Sequence, residues 1–206
     1  MSGQLSFFSA GARPPAYADL EGLLAGPGQV VRRGGLARIS VLIRPPARWR
    51  VVALAAELAA LGLDAEVAAA GTRDGTAVRT PFVAELLPLA QRWTAGAAKR
   101  PPAGFDLDGP RLRWWCLAAG RTEPAGYRLG LDQAAEQSWS AVGAALAAAG
   151  VPGTLVGPRA DGPAYRIVGS RRLGRLRELV GDPPPEAPAV EWPIGPGRAQ
   201  PAPGRG

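Results

Sequence analysis

Histidine is absent from the chain, and cysteine and lysine occur once each, as Cys116 and Lys99. Without an imidazole there is no histidine general base, and the commonest transition-metal ligand is missing. One cysteine cannot close an intrachain disulfide, so nothing points to an oxidising compartment. Cys116 lies among apolar residues and reads as a packed core thiol rather than a nucleophile. Long uncharged apolar runs are also missing. The first fifteen residues have neither the basic start nor the apolar core of a signal peptide, which predicts a cytoplasmic protein. No glycine loop ends in Lys-Ser or Lys-Thr, so a Walker-type phosphate cradle is excluded. Acids are unevenly spread, with no Asp or Glu between Glu21 and Glu57.

Arginine and small apolar residues are abundant. At 206 residues and 47% hydrophobic, the chain can form one full domain or two fused small halves around an ordinary core. Its formal net charge is +7, which favours a polyanionic partner because neutralising phosphates releases counterions whatever their sequence. All 24 basic residues except Lys99 are arginine. That bias, with the wealth of Ala, Gly and Pro, points to the GC-rich genome of a bacterium. Mutational bias exchanges lysine for arginine without creating net charge, so the excess remains a functional signal.

Residues 1–16 show no period and form an N-terminal arm. A short helix is predicted over 17–26, stopped by Pro27-Gly28. Two β-prone runs at 29–33 and 36–43 flank Gly34-Gly35, a hairpin signature. Apolar residues at helical spacing predict a helix over 49–61 with Gly62 at its C-cap. Strands follow at 65–70 and 76–80 around a turn at 72–75, then a third helix over 81–94 with Pro81 in its first turn. After a connector at 95–104 the pattern restarts. Helices are expected at 111–119, 134–149 and 170–180, the last with Ser170 as N-cap, and strands at 126–132, 153–157 and 164–168. A strand at 121–125 has little support because Pro124 falls within it. Residues 182–206, rich in Pro and Gly, are expected to stay disordered.

The two parts superpose by counting. Leu58-Ala59-Ala60 and Gly62 match Leu146-Ala147-Ala148 and Gly150 at an offset of 88. At one residue less, Asp74-Gly75, Ala77, Arg79, Leu86 and Leu89 match Asp161-Gly162, Ala164, Arg166, Leu173 and Leu176. An internal duplication follows, with repeats at 17–95 and 105–181 and a linker at 96–104.

The stretch Leu-Glu-Gly-Leu-Leu-Ala-Gly-Pro-Gly at 20–28 resembles the nine-residue helix of the LAGLIDADG homing endonucleases, as does its echo at 112–120. Trp93, Gly96, Lys99, Pro101, Leu107, Leu112, Trp115, Leu117 and Gly120 follow the family's pattern around the second helix. The resemblance implies an α+β fold of two pseudo-symmetric α-β-β-α-β-β-α halves, forming a saddle from two antiparallel sheets with the two helices side by side at its centre. In that family each helix carries an acid before its final Gly to hold metals for DNA cleavage. Here those positions are Pro27 and Ala119, so no catalytic residue, metal site or cofactor is expected. Phosphodiester hydrolysis of that kind needs converging carboxylates. Glu21 lies six positions too early, and Glu123 has no symmetric partner.

Strand parity places Arg38, Ser40 and Arg44 opposite Ile39, Val41 and Ile43, and Arg128 and Asp132 opposite Tyr127, Leu129 and Leu131. Each half thus has a polar, partly basic face, which by resemblance would lie in the DNA major groove. Arg32, Arg33, Arg73, Arg79, Arg159 and Arg166 border the same surface. The sequence therefore predicts a monomeric, non-cleaving protein that binds duplex DNA, with structured RNA as a further nucleic acid the pattern admits. Two alternatives stand beside it. One is a divalent-metal-dependent LAGLIDADG endonuclease or maturase. The other is a protein-protein interaction scaffold on which the arginines are simply solvated.

Overall fold

The computed structural model describes residues 9–11, 13–44, 47–71, 74–96, 98–157 and 162–193. Arg73, Arg159, the turn residue Thr72 and the last thirteen residues lie outside these. The first helix forms as a 3₁₀ turn, Tyr17–Leu20, leading into α1 (Glu21–Ala25). Strands β1 (Gln29–Arg33) and β2 (Leu36–Ile43) pair from Gln29↔Ser40 to Arg33↔Leu36. That register leaves Gly34-Gly35 as the two-residue turn, and Gly34 takes a φ of 59° that a side chain would resist.

Helix α2 (Arg48–Ala60) ends at Gly62, and β3 (Glu66–Ala69) and β4 (Thr76–Arg79) complete a sheet ordered β1-β2-β4-β3. The third helix is shorter than predicted. Val83 exchanges two backbone hydrogen bonds with Ala37, each 3.0 Å, so residues 81–83 stay extended along β2. A 3₁₀ turn (Ala84–Leu86) and α3 (Leu87–Trp93) follow, and Pro88 rather than Pro81 occupies the first turn.

The connector contains a small hairpin, β5 (Thr94–Ala95) and β6 (Ala98–Lys99), which the sequence did not signal. Helix α4 spans Gly109–Ala119. It begins before residue 111 because the Asp108 carboxylate accepts from the Arg111 amide at 3.0 Å and caps the helix. Strands β7 (Gly120–Glu123) and β8 (Gly126–Gly130) form a regular hairpin, since Pro124 sits in its turn and removes no ladder bond. Helix α5 (Glu136–Ala148), β9 (Thr154–Val156), β10 (Ala164–Val168) and α6 (Ser170–Val180) complete the second half. Its sheet is ordered β7-β8-β10-β9, like the first. Ser170 is the first helical residue. Gly169, at φ 95°, holds the cap position without a side-chain bond.

The repeat is visible in the hydrogen bonds. After α2, Gly62 N–H donates to Ala59 and Leu63 N–H to Leu58; after α5, Gly150 donates to Ala147 and Val151 to Leu146. Both glycines have positive φ, so the two helices end in the same C-cap 88 residues apart. The sheets agree as well: Arg79 pairs with Ser40 and Glu66, and Arg166 pairs with Arg128 and Thr154.

Between the sheets α1 and α4 lie against each other. A β-carbon on Gly22 would stand 1.8 Å from the Arg111 carbonyl oxygen, and one on Gly26 would meet the Trp115 ring at 2.6 Å. Trp114 and Trp115 are both buried, and Trp115 Nε1 donates to Gly130 O at 2.8 Å. No helix among the described residues is long and apolar enough to cross a membrane.

The expectation of disorder from residue 182 is overturned for 182–193, which strap back across the body. Trp192 is buried and donates to Gly181 O at 2.9 Å, with the Arg113 guanidinium 5.3 Å over its ring. Trp49 Nε1 donates to Glu191 at 2.7 Å. An indole that fills a gap and satisfies its own N–H offsets the ordering of a short Pro-rich segment, which composition alone does not reveal.

Burial pushes the Cys116 thiol up to about 12 from 9.0. A thiol whose folded pKa lies above its unfolded one contributes stability below pH 9 that is lost as pH rises towards 12. The contribution is at most about 4 kcal/mol. Lys99, pushed down by burial, acts in the opposite sense below 10.5. Comparison with Cys116→Ala isolates the thiol: in thermal melts from pH 8 to 11 the variant should lose stability less steeply than the parent.

Candidate nucleic-acid interface

Ile39, Val41 and Ile43 are buried against the helices, while Arg38 and Ser40 are half-buried on the other side of β2. Arg44, expected on that polar face, lies just past the end of the strand and is exposed beside α2, next to Ile43 and Arg48, so it does not join the arginines of the polar face. Cross-strand partners share a face, so Gln29, Ser40, Arg79 and Glu66 form one row across four strands. The matching row of the second sheet is Arg121, Arg128, Arg166 and Thr154. Arg33, paired with Leu36, lies on the polar face, as does Arg38, paired with Val31. Arg32 does not. It pairs with buried Ala37, and parity puts it on the helix side, exposed only because β1 is an edge strand.

The two faces differ in how their arginines are held. The Arg38 guanidinium stacks 4.6 Å above the Phe82 ring, and its Nε has no hydrogen-bond partner. Arg79 lies 3.5 Å from Glu66 at a solvent-exposed pair. Arg128, expected to stand open, is only 8% exposed: it donates to Gly162 O and lies 3.6 Å from Glu123. The same carboxylate accepts from Arg166 at 2.6 Å. Glu123 thus ties two arginines together and leaves the second face less basic than the first.

At the centre, the C-terminal ends of α1 and α4 meet buried cations supplied by the chain itself. Lys99, placed by the β5-β6 hairpin, donates to the carbonyls of Gly26 at 2.8 Å and Gly28 at 2.9 Å. Its third direction meets Asp132 at 3.0 Å. Gln29 Nε2 donates to the same carboxylate at 2.5 Å. On the other helix, Arg50 of α2 donates to Cys116 O at 2.6 Å, to Leu117 O at 3.0 Å and to Gly120 O. Positive charge at a helix C-terminus complements the macrodipole and satisfies carbonyls that the helix leaves unpaired.

Asp19 and Glu21 lie at the opposite end of α1. Glu21 is fully buried and held by Arg92 at 2.8 Å, Arg111 at 2.9 Å and Trp93 Nε1 at 3.1 Å. Asp19 pairs with Arg13. This donor set does not fit a divalent metal. The carbonyls beside Pro27 and Ala119 already face an ammonium and a guanidinium, and Asp132 is shared by Lys99 and Gln29. Among the described residues, no group of three or more Asp, Glu, His or Cys converges on one point.

Lys99, Arg50 and Gln29 were not among the residues expected at the site, and Asp132, expected on the polar face, instead pairs with Lys99. One signal pointed to Lys99: a composition that turns every other basic position into arginine keeps a lysine where three acceptors surround a compact ammonium.

No protein-family model matches the chain, and no curated protein matches it. Solved structures do. The homing endonuclease I-WcaI bound to its DNA recognition sequence superposes with a TM-score of 0.56 over 79% of this chain and 78% of that one, at 9% identity. I-DmoI in complex with DNA and Mn gives a TM-score of 0.44 over 81% and 99%, at 10% identity. With its two equivalent four-stranded sheets around a paired central helix, the chain has the LAGLIDADG homing endonuclease fold.

Proposed function

We propose that the chain binds duplex DNA across its two polar sheet faces, as a single chain supplying both halves, and does not cut it. The observation that carries this reading is the pairing of arginine-bearing rows on both sheets with central helix ends held by Lys99 and Arg50. Arginines on a saddle supply phosphate contacts and guanine-edge donors without a metal. Internal cations at the helix ends do electrostatically what divalent ions would do there, but activate no water. I-WcaI, of similar fold, is bound to DNA, and the net charge of +7 suits the same partner.

The reading is tested by salt-titrated binding to a random-sequence duplex. Replacing Arg33 and Arg79 together by alanine should lower affinity about tenfold and flatten the log–log salt slope by about two, roughly one per lost phosphate contact. Arg171→Ala/Arg172→Ala, on exposed positions of α6, should change neither. Equal binding by both variants and the parent would contradict the assignment.

A further inference from the structure

The register that relates the two sheets also relates their helices, and on one side the halves differ in a way the saddle does not explain. Val51 corresponds to Trp139, Ala55 to Gly143 and Val78 to Tyr165. In the second half the two rings fill the space between α5 and the sheet. Trp139 Nε1 donates to Asp132 O at 2.9 Å, and Tyr165 Oη donates to Trp139 O at 2.8 Å. Gly143 has no β-carbon there because one would lie 2.1 Å from Tyr165 Oη. In the first half valine and alanine stand instead. A groove of about 750 Å³ opens between α2 and the sheet, floored by Ile43, Val51, Ala55 and Thr76. Val52 and Val67 on its walls are 46% and 47% exposed.

Charge is inverted between the same positions. Where the second half has Asp132 and Glu136, the groove has Arg44 and Arg48. Among the described residues neither arginine has an ion-pair partner. The first turn of α2 contains no acid, so Arg48 sits at the positive end of the helix dipole. Glu136 complements that end in α5. The groove is therefore shaped for a ring and charged for carboxylates.

We propose that this groove binds an acidic segment of a partner protein, seating one aromatic side chain where the second half seats its own Trp139, with flanking carboxylates against Arg44 and Arg48. An open trough along the edge strand β3 suits a chain segment. The proposal stands independently of DNA binding.

The test is fluorescence anisotropy of the full chain with a labelled Glu-Asp-Trp-Glu-Asp peptide. The parent should bind with an affinity that falls as salt rises. Val51→Trp, which supplies the missing ring from within, and Arg48→Glu should each weaken binding about tenfold or more. A peptide with alanine for tryptophan should lose binding similarly, while duplex DNA affinity of Val51→Trp stays unchanged. Equal binding by parent, Val51→Trp and Arg48→Glu would overturn the proposal. So would binding of indole-3-acetate in place of the peptide, which would assign the groove to a small aromatic acid. A dimer abolished by Val51→Trp would assign it to a second copy and overturn it equally.

Discussion

Gly22→Ala should destabilise the protein by about 3 kcal/mol or more and lower Tm by on the order of 10 °C. Alanine in place of a helical glycine ordinarily stabilises by up to about 1 kcal/mol. Here the sign reverses because the obstacle is backbone: the new methyl would stand 1.8 Å from the Arg111 carbonyl oxygen and 2.7 Å from its carbon. Neither atom can rotate away, so α1 and α4 must separate, disturbing the core between the two sheets. Gly174→Ala in α6 is the control, since nothing lies within 4 Å of its added carbon. It should leave stability unchanged or raise it. If both variants unfold at the same urea concentration, the central helices are not in backbone contact.

Lys99→Met should cost about 3–5 kcal/mol, the usual consequence of removing one member of a buried ion pair. It strands the Gly26 and Gly28 carbonyls and leaves Asp132, among the described residues, with Gln29 as its one side-chain donor. Lys99→Arg should not rescue it, because a planar guanidinium with five donors does not fit three converging acceptors. Adding Asp132→Asn to Lys99→Met removes the uncompensated charge, so the double variant should be less destabilised than the sum of the two singles. Strict additivity in urea unfolding would mean that the pair is not coupled.

Most of the fold was legible because its signals are local. Gly34-Gly35 between β-prone runs, glycines at 62 and 150 closing predicted helices, and the offset of 87 that brings Arg79 onto Arg166 all reappear in the backbone and the strand register. Errors arose where tertiary contacts overrode local preference. Residues 81–83 looked like the start of a helix but are held extended by Ala37, and the strap at 182–193 is ordered by one buried indole.

The face of the site was read more securely than its members. Alternation correctly separated Ile39, Val41 and Ile43 from Arg38 and Ser40, yet proximity in sequence grouped Arg32 with Arg33 although successive strand residues point to opposite faces. Arg128 was assigned to solvent because its carboxylate partner, Glu123, sits across a hairpin whose first strand Pro124 obscured. The buried cations at the helix ends depend on residues 71 and 70 positions away from Gly28 and Gly120, a distance that no pattern of spacing encodes.

If Lys99 and Arg50 stand at the helix ends in place of divalent ions while the arginine faces hold DNA, binding needs no metal and leaves the strands whole. Duplex affinity and strand integrity, measured side by side in chelator, magnesium and manganese, decide this. Affinity at matched ionic strength should be the same in all three, with every strand intact. Strand scission in either metal, or affinity lost in chelator, would rule it out.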